Sequence, residues 1–213
     1  IGGKLITGNK KKKKFYAVKE GRKTGIFDSW QECEAAVKGY SGAEYKSFND
    51  RKTAQDYLTD FAEQEKKIAE LEADEMIAYV DGSHNQELNY YSYGVICFYR
   101  EEKEEIAERG QEEKLLKMRN VGGEIMAAQK AMEKAVAEEI EKLYLYHDYE
   151  GIEKWCTGAW QTNRVATKEY QDYYRSIKDK LKVKFIKVKA HSGNKYNEEV
   201  DKLAKEALRG SIS

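Results

Sequence analysis

The chain has 213 residues, with 38 Lys and Arg balanced by 38 Asp and Glu, and charged residues make up 36% of it. No run approaches the roughly 18 apolar residues of a membrane-spanning helix, which sets aside an integral helical membrane protein. Cys33, Cys97 and Cys156 are odd in number and unspaced for zinc, and with no signal-peptide pattern they predict reduced thiols in a cytoplasmic protein.

The charge is unevenly spread. Residues 1–58 hold 13 Lys and Arg against 7 Asp and Glu, a net of +6, whereas residues 76–213 hold 23 against 24. Residues 1–9 begin without Met and carry no readable pattern, so their origin stays open. Lys10–Lys14 is a run of five lysines. It reads as a solvated tail with salt-sensitive affinity for phosphate.

Residues 14–58 read as a small independent unit. Lys14–Lys19 and Thr24–Phe27 predict two strands joined by Glu20-Gly-Arg-Lys23, a hairpin with a basic tip. Ser29 caps a helix, Glu32 completes a capping box and Gly39 is the stop signal. Glu44–Phe48 predicts a third strand, followed by a short helix through Ala54 to Leu58. Tyr16, Trp30, Tyr45 and Phe48 lie among Lys14, Arg22, Lys23 and Lys46. Aromatics interleaved with bases suit a phosphate backbone plus stacking. The plainer reading makes them the core of a tiny domain; it is preferred for Phe48 and stays open for Trp30. Residues 59–75 carry seven acids against two lysines and read as an acidic linker, helical near 61–71.

The remaining residues suffice for one α/β core. The pattern predicts strands at 76–81, 91–99 and roughly 104–118, then helix 123–139 and strand 142–147. Helices near 150–157 and 167–180, strand 182–189 and helix 196–209 complete it. Four acids stand out in this frame: Asp81 in Tyr-Val-Asp-Gly-Ser, Glu124 after Gly122-Gly123, Asp148 after Leu-Tyr-His, and Asp201 in Asn-Glu-Glu-Val-Asp-Lys-Leu-Ala. Asp81 and Asp148 each close a predicted strand, and they emerge side by side if those strands are parallel neighbours. Glu124 is expected in the first turn of its helix, aligned with the apolar Ala128 and so aimed at the buried face. Any one of these acids alone reads as a cap or a solvated group. Together they form a ligand supply for hard divalent cations, because clustered carboxylates repel one another unless a cation holds them. His191 lies in a polar loop before the last helix, as a proton carrier or gate if it is more than a surface residue.

These motifs in this order resemble the type 1 ribonuclease H family over residues 76 to about 209. Asp-Gly-Ser, Gly-Glu-x-x-Ala, an Asp closing the fourth strand and His-Ser-Gly-x-x-x-Asn-Glu-x-x-Asp-x-Leu-Ala carry the resemblance. It implies an α/β fold with a five-stranded mixed sheet flanked by helices. It also implies hydrolysis of the RNA strand of RNA–DNA hybrids with two Mg²⁺ ions, Mn²⁺ being an alternative. The metal-binding acids would be Asp81, Glu124, Asp148 and Asp201, the loop histidine His191, and a substrate-contacting Asn would be Asn120. The chain departs from the family where Tyr149 follows Asp148 and where Trp155 to Tyr170 leaves little room for a basic protrusion. Phe15-Tyr-Ala-Val-x-x-Gly-Arg-x-Thr-Gly-x-Phe is similar to the small α+β hybrid-binding domain found in front of many such enzymes. That implies Tyr16, Trp30 and Lys46 as contacts, with Ser47 where a second base is common; Arg22, Lys23 and Tyr45 complete the expected surface. The expected partner is an RNA–DNA hybrid, with double-stranded RNA as a further ligand of the amino-terminal module, and the expected state is a monomer. The alternatives are a nucleic-acid-binding protein with an inactive nuclease domain, or a ribonuclease H piece of a reverse transcriptase.

Overall fold

The computed structural model describes residues 13–188 and 194–210. Contacts divide the chain into two compact units, with the boundary between Gln64 and Glu65. None of the described helices is long and apolar enough to cross a membrane.

In the first unit, β1 (Phe15–Glu20), β2 (Gly25–Phe27) and β3 (Glu44–Phe48) form an antiparallel sheet in the order β2-β1-β3. Alternation along β1 gives the sheet two apolar faces. Val18 packs with Cys33, Ala36 and Val37 of α1 (Trp30–Val37). Ala17 packs with Ala54 and Tyr57 of α2 (Arg51–Ala69) on the other face. Ser29 caps α1 by accepting from the Glu32 amide, and its hydroxyl donates to the Glu32 carboxylate at 2.9 Å. Lys19 is buried on the α2 face. A buried ammonium needs a partner, and here it has Glu44 at 3.1 Å and the Tyr57 ring at 3.8 Å. The short helix expected at 54–58 is part of the first half of one continuous 19-residue helix, and much of the expected linker belongs to it.

The second unit is a mixed five-stranded sheet in the order β6-β5-β4-β7-β8. Its strands are β4 (Glu75–Asn85), β5 (Tyr90–Tyr99), β6 (Glu102–Gly110), β7 (Lys142–His147) and β8 (Lys182–Lys187). The first three are an antiparallel meander, while β4–β7 and β7–β8 are parallel. Met76, Ala78 and Val80 face a core shared with Ala128, Ala131 and Met132 of α4 (Asn120–Ala137). Ile77 and Tyr79 face the other side, where Tyr196 and Val200 of α7 (Lys195–Arg209) cover the sheet. α5 (Gly151–Thr157) and α6 (Val165–Ile177) complete the α4 side.

Two expectations are corrected. The third strand does not run to about 118: its pairing with β5 ends at Tyr91–Gly110, and a short helix α3 (Glu113–Leu116) follows, burying Leu115. β4 does not end at Asp81 either. It continues through Gly82 and Ser83 to Asn85 because β5 pairs with it all the way.

Candidate active site

Asp81 is therefore an interior residue of β4, and a different edge makes it accessible. The parallel ladder between β4 and β7 stops at Tyr79–Tyr146. Beyond it Asp81 has a strand on one side only, and Asp148, just past the end of β7, opens into the same space.

Glu124 is delivered by close packing of α4 on β4. A Cβ on Gly82 would lie 2.1 Å from the Glu124 backbone nitrogen, and one on Gly123 would lie 2.2 Å from the Ser92 carbonyl oxygen. Both positions exclude any side chain. That is the physical content of Asp-Gly-Ser and Gly-Gly-Glu, two motifs shaped for each other. α4 begins at Asn120, three residues earlier than expected, so Glu124 lies in its second turn and a first-turn dipole gain does not account for its placement.

One carboxylate oxygen from each of Asp81, Glu124 and Asp148 lies within 4.8 Å of the others. Asp201 of α7 is not in that tight group. It lines the same cleft, of about 240 Å³, together with Asn120, Asn197, Glu198 and Lys205. Asp81 and Glu124 are buried. Burial first, and then the neighbouring Asp148, push the Asp81 carboxyl up to about 8, partly offset by the Gly82 amide donating to it at 2.8 Å. Burial, Asp148 and Asp81 push Glu124 up to about 9. Such groups bind protons near neutrality unless something more strongly charged displaces them.

Asn197, four residues before Asp201, is 4% exposed, and its side-chain oxygen Oδ1 has no hydrogen-bond partner among the described residues. A buried acceptor without a donor is costly. Facing an acid-lined cleft, it suits a water held by a cation. The donor set consists of oxygen atoms alone, which fits a hard divalent cation rather than a soft one. Asn197 and Lys205 were not singled out from the sequence. The signal for Asn197 was its spacing of four residues before Asp201, which puts both on one helix face. His191 lies outside the described residues.

In the amino-terminal unit, Tyr16, Trp30 and Tyr45 form a ladder, with ring centroids 5.6 Å apart from Tyr16 to Trp30 and 5.7 Å from Trp30 to Tyr45. Trp30 and Tyr45 are each 43% exposed, too open for core residues. Phe48 instead packs on Tyr57. Arg22 and Lys23 are exposed in the β1–β2 turn, and Arg22 donates to the Lys38 carbonyl. Lys46 is not on the ladder's face: it pairs with Ala17, whereas Tyr45 pairs with Val18. Trp155 is buried and Trp160 is partly exposed, in edge-on contact with each other.

A family model described as RNase H matches residues 73–209, and one described as Ribonuclease H1 N-terminal domain matches residues 14–58. Ribonuclease H1 of Homo sapiens is 27% identical over 257 aligned positions, covering 92% of this chain and 90% of the human protein. A ribonuclease H of Saccharomyces cerevisiae is 52% identical over 44 residues, which span 21% of this chain and 13% of the yeast protein. Among solved structures, LC11-RNase H1 from compost, in complex with an RNA/DNA hybrid, aligns with a TM-score of 0.51 at 19% identity. That alignment covers 65% of this chain and 99% of the LC11 chain. With the RNase H model spanning more than half of its length, the chain belongs to the ribonuclease H family of enzymes.

Proposed function

We propose that this chain is an endonuclease that hydrolyses the RNA strand of RNA–DNA hybrids by two-metal-ion catalysis, with Mg²⁺ as the ion and Mn²⁺ as a substitute. Residues 76–210 form the catalytic domain, residues 59–75 an acidic connection, and residues 14–58 the module that binds the hybrid, with double-stranded RNA as a second ligand. The protein acts as a cytoplasmic monomer. One observation carries the reading: three carboxylates meet within 4.8 Å at the end of a parallel ladder, where burial and mutual repulsion make a cation their natural partner. The family supplies the ribonuclease activity, and the RNA/DNA hybrid bound by LC11-RNase H1 supplies the substrate class.

Asp81, Glu124, Asp148 and Asp201 would hold the ions, and the buried Asn197 oxygen would accept from a water in their shell. Bound divalent cations neutralise charge on the scissile phosphate and activate water. The chain's own work is positional. The Gly82 amide fixes one Asp81 oxygen, and the glycine contact fixes Glu124 against β4. Asn120, which lines the same cleft, contacts the substrate, and His191 serves as proton carrier or gate. Discrimination rests on 2′-hydroxyls read across the minor groove, which an all-DNA duplex lacks. The Tyr16–Trp30–Tyr45 ladder adds stacking, with Arg22, Lys23 and Lys46 adding charge for phosphates.

The test is cleavage of end-labelled RNA–DNA hybrid, double-stranded RNA and DNA duplex by the full chain in Mg²⁺, in Mn²⁺ and with chelator. RNA-strand cleavage leaving 5′-phosphates, confined to the hybrid and lost with chelator, is expected. Equal cleavage of the DNA duplex, or none of the hybrid with either metal, would overturn the reading.

A further inference from the structure

The acid-lined cleft holds one feature that the two-ion reading leaves unused. Asp201 stands outside the tight three-acid group, although close to Asp81, and its Oδ2 accepts from the Lys205 ammonium at 2.7 Å. Asn197, Asp201 and Lys205 are spaced four apart on α7, so they form one line along the helix, and all three line the cleft. Among the described residues lining that cleft, Lys205 is the single base facing five acids: Asp81, Glu124, Asp148, Glu198 and Asp201.

An aspartate paired with a lysine four residues on is ordinary on a helix surface and worth little there. This pair is not on an ordinary surface. Asp201 is one-third exposed and lies close enough to Asp81 to help raise its proton affinity, so the ammonium sits at the edge of a strongly negative cavity. A fixed positive charge in that place does part of what a second cation would do. It neutralises Asp201 beside Asp81 and engages its Oδ2 at the cleft wall.

We propose that Lys205 is a positioning residue acting as a tethered counter-ion: it occupies Asp201 in the substrate-free protein and competes with a divalent cation for that carboxylate. The inference rests on the two-ion reading and adds an order to it. The three-acid group takes an ion strongly. The position that needs Asp201 fills weakly, because the ammonium must be displaced and its charge repels the incoming ion. Hybrid binding then favours the second ion, since the substrate's phosphates supply negative charge that pairs with Lys205 as it leaves Asp201. The free enzyme is thereby kept from filling its second position before a substrate arrives.

The experiment is titration of the full chain with Mn²⁺, followed by the resonance signal of free Mn²⁺ and by calorimetry. The wild type is expected to show one strong and one weak step. Lys205→Gln should strengthen the weak step by about three- to tenfold, the scale of removing a partly screened charge, and leave the strong step within about twofold. Lys205→Arg should titrate like the wild type. Asp201→Asn added to Lys205→Gln should erase the gain. An unchanged or weakened second step in Lys205→Gln, or a gain that survives Asp201→Asn, would overturn the role of Lys205 while leaving the metal site standing. Absence of any saturable Mn²⁺ uptake by the wild type would instead overturn the metal reading, and this inference with it.

Discussion

The acid-lined cleft of the second unit and the aromatic ladder of the amino-terminal unit are built on opposite physical terms. In the cleft, charged side chains are buried, and backbone approaches backbone so closely that Gly82 and Gly123 have no room for a methyl group. In the ladder, the Trp30 and Tyr45 rings stand nearly half exposed, neighbouring centroids more than 5 Å apart, while Tyr16 anchors them to the unit's core. Metal-dependent chemistry requires ligand atoms held to fractions of an ångström. Stacking on a nucleic acid tolerates every base and many angles. The difference teaches where this chain is brittle and where it is adaptable.

The largest break in that contrast should come from charge removal in the cleft. Asp81→Asn combined with Asp148→Asn keeps the shape and removes two ligands. Losing even a supporting partner of a metal ligand costs about 10–100-fold, so hybrid cleavage in Mg²⁺ should fall by more than about 10³-fold. The metal-free protein should melt at a higher temperature, since the repulsion is gone. Cleavage near the wild-type rate would refute the site. The next effect tests brittleness directly. Gly82→Ala forces a Cβ to within 2.1 Å of the Glu124 amide, and overpacking of this kind costs about 1–3 kcal/mol or more. Denaturant unfolding should show that loss, whereas Trp30→Ala in the ladder should stay within about 0.5 kcal/mol.

The cleft also predicts an unusual pH dependence. Asp81 and Glu124 titrate near 8 and 9 in the fold, above the 3.8 and 4.5 of the unfolded chain. Groups with raised folded values stabilise while protonated, so their contribution is complete below about pH 4 and lost as pH rises through about 8–9. Melting of the metal-free protein, compared with Asp81→Asn, should show the wild type losing ground steadily across that window. Mg²⁺ should raise the melting temperature more at pH 9 than at pH 6, because binding displaces fewer protons there. A flat difference between the two proteins would break the assignment of buried, proton-hungry carboxylates.

How much of this was legible in the sequence depends on whether local chemistry or distant pairing decided it. Helix α1 was legible because Ser29 and Glu32 announce its start, and β7 because a short apolar run ends at a single acid. The approach of Asp81 and Glu124 was legible because Gly82 and Gly122–Gly123 flank them with turn-like residues, although those glycines proved to serve close packing rather than turns. The continuation of β4 to Asn85 was not legible, since Asp-Gly-Ser reads as a break and only pairing with β5 overrides it. Nor was α3, whose Leu115 is meaningful only against α4. The separation of Lys46 from the ladder was available from strand alternation alone, because Tyr45 and Lys46 are consecutive and cannot share a face.

That separation gives the smallest and most discriminating effect. Stacking on an aromatic ring is worth about 1–3 kcal/mol per base, so Trp30→Ala should weaken hybrid binding by roughly tenfold. It should do so with little change in salt dependence, since no charge is lost. Lys46→Ala removes one charge from the other face of the sheet. Its long stem can bring the ammonium to a phosphate at the sheet edge, where an exposed contact is worth less than a stacked ring. The expected loss is therefore about two- to threefold, with the salt slope reduced by about one unit if Lys46 neutralises one phosphate. The measurement is hybrid affinity at several salt concentrations for the full chain and both variants, under conditions that prevent cleavage. If Lys46→Ala weakens binding more than Trp30→Ala, the contact surface lies on the α2 face, and the ladder is part of the unit's own packing.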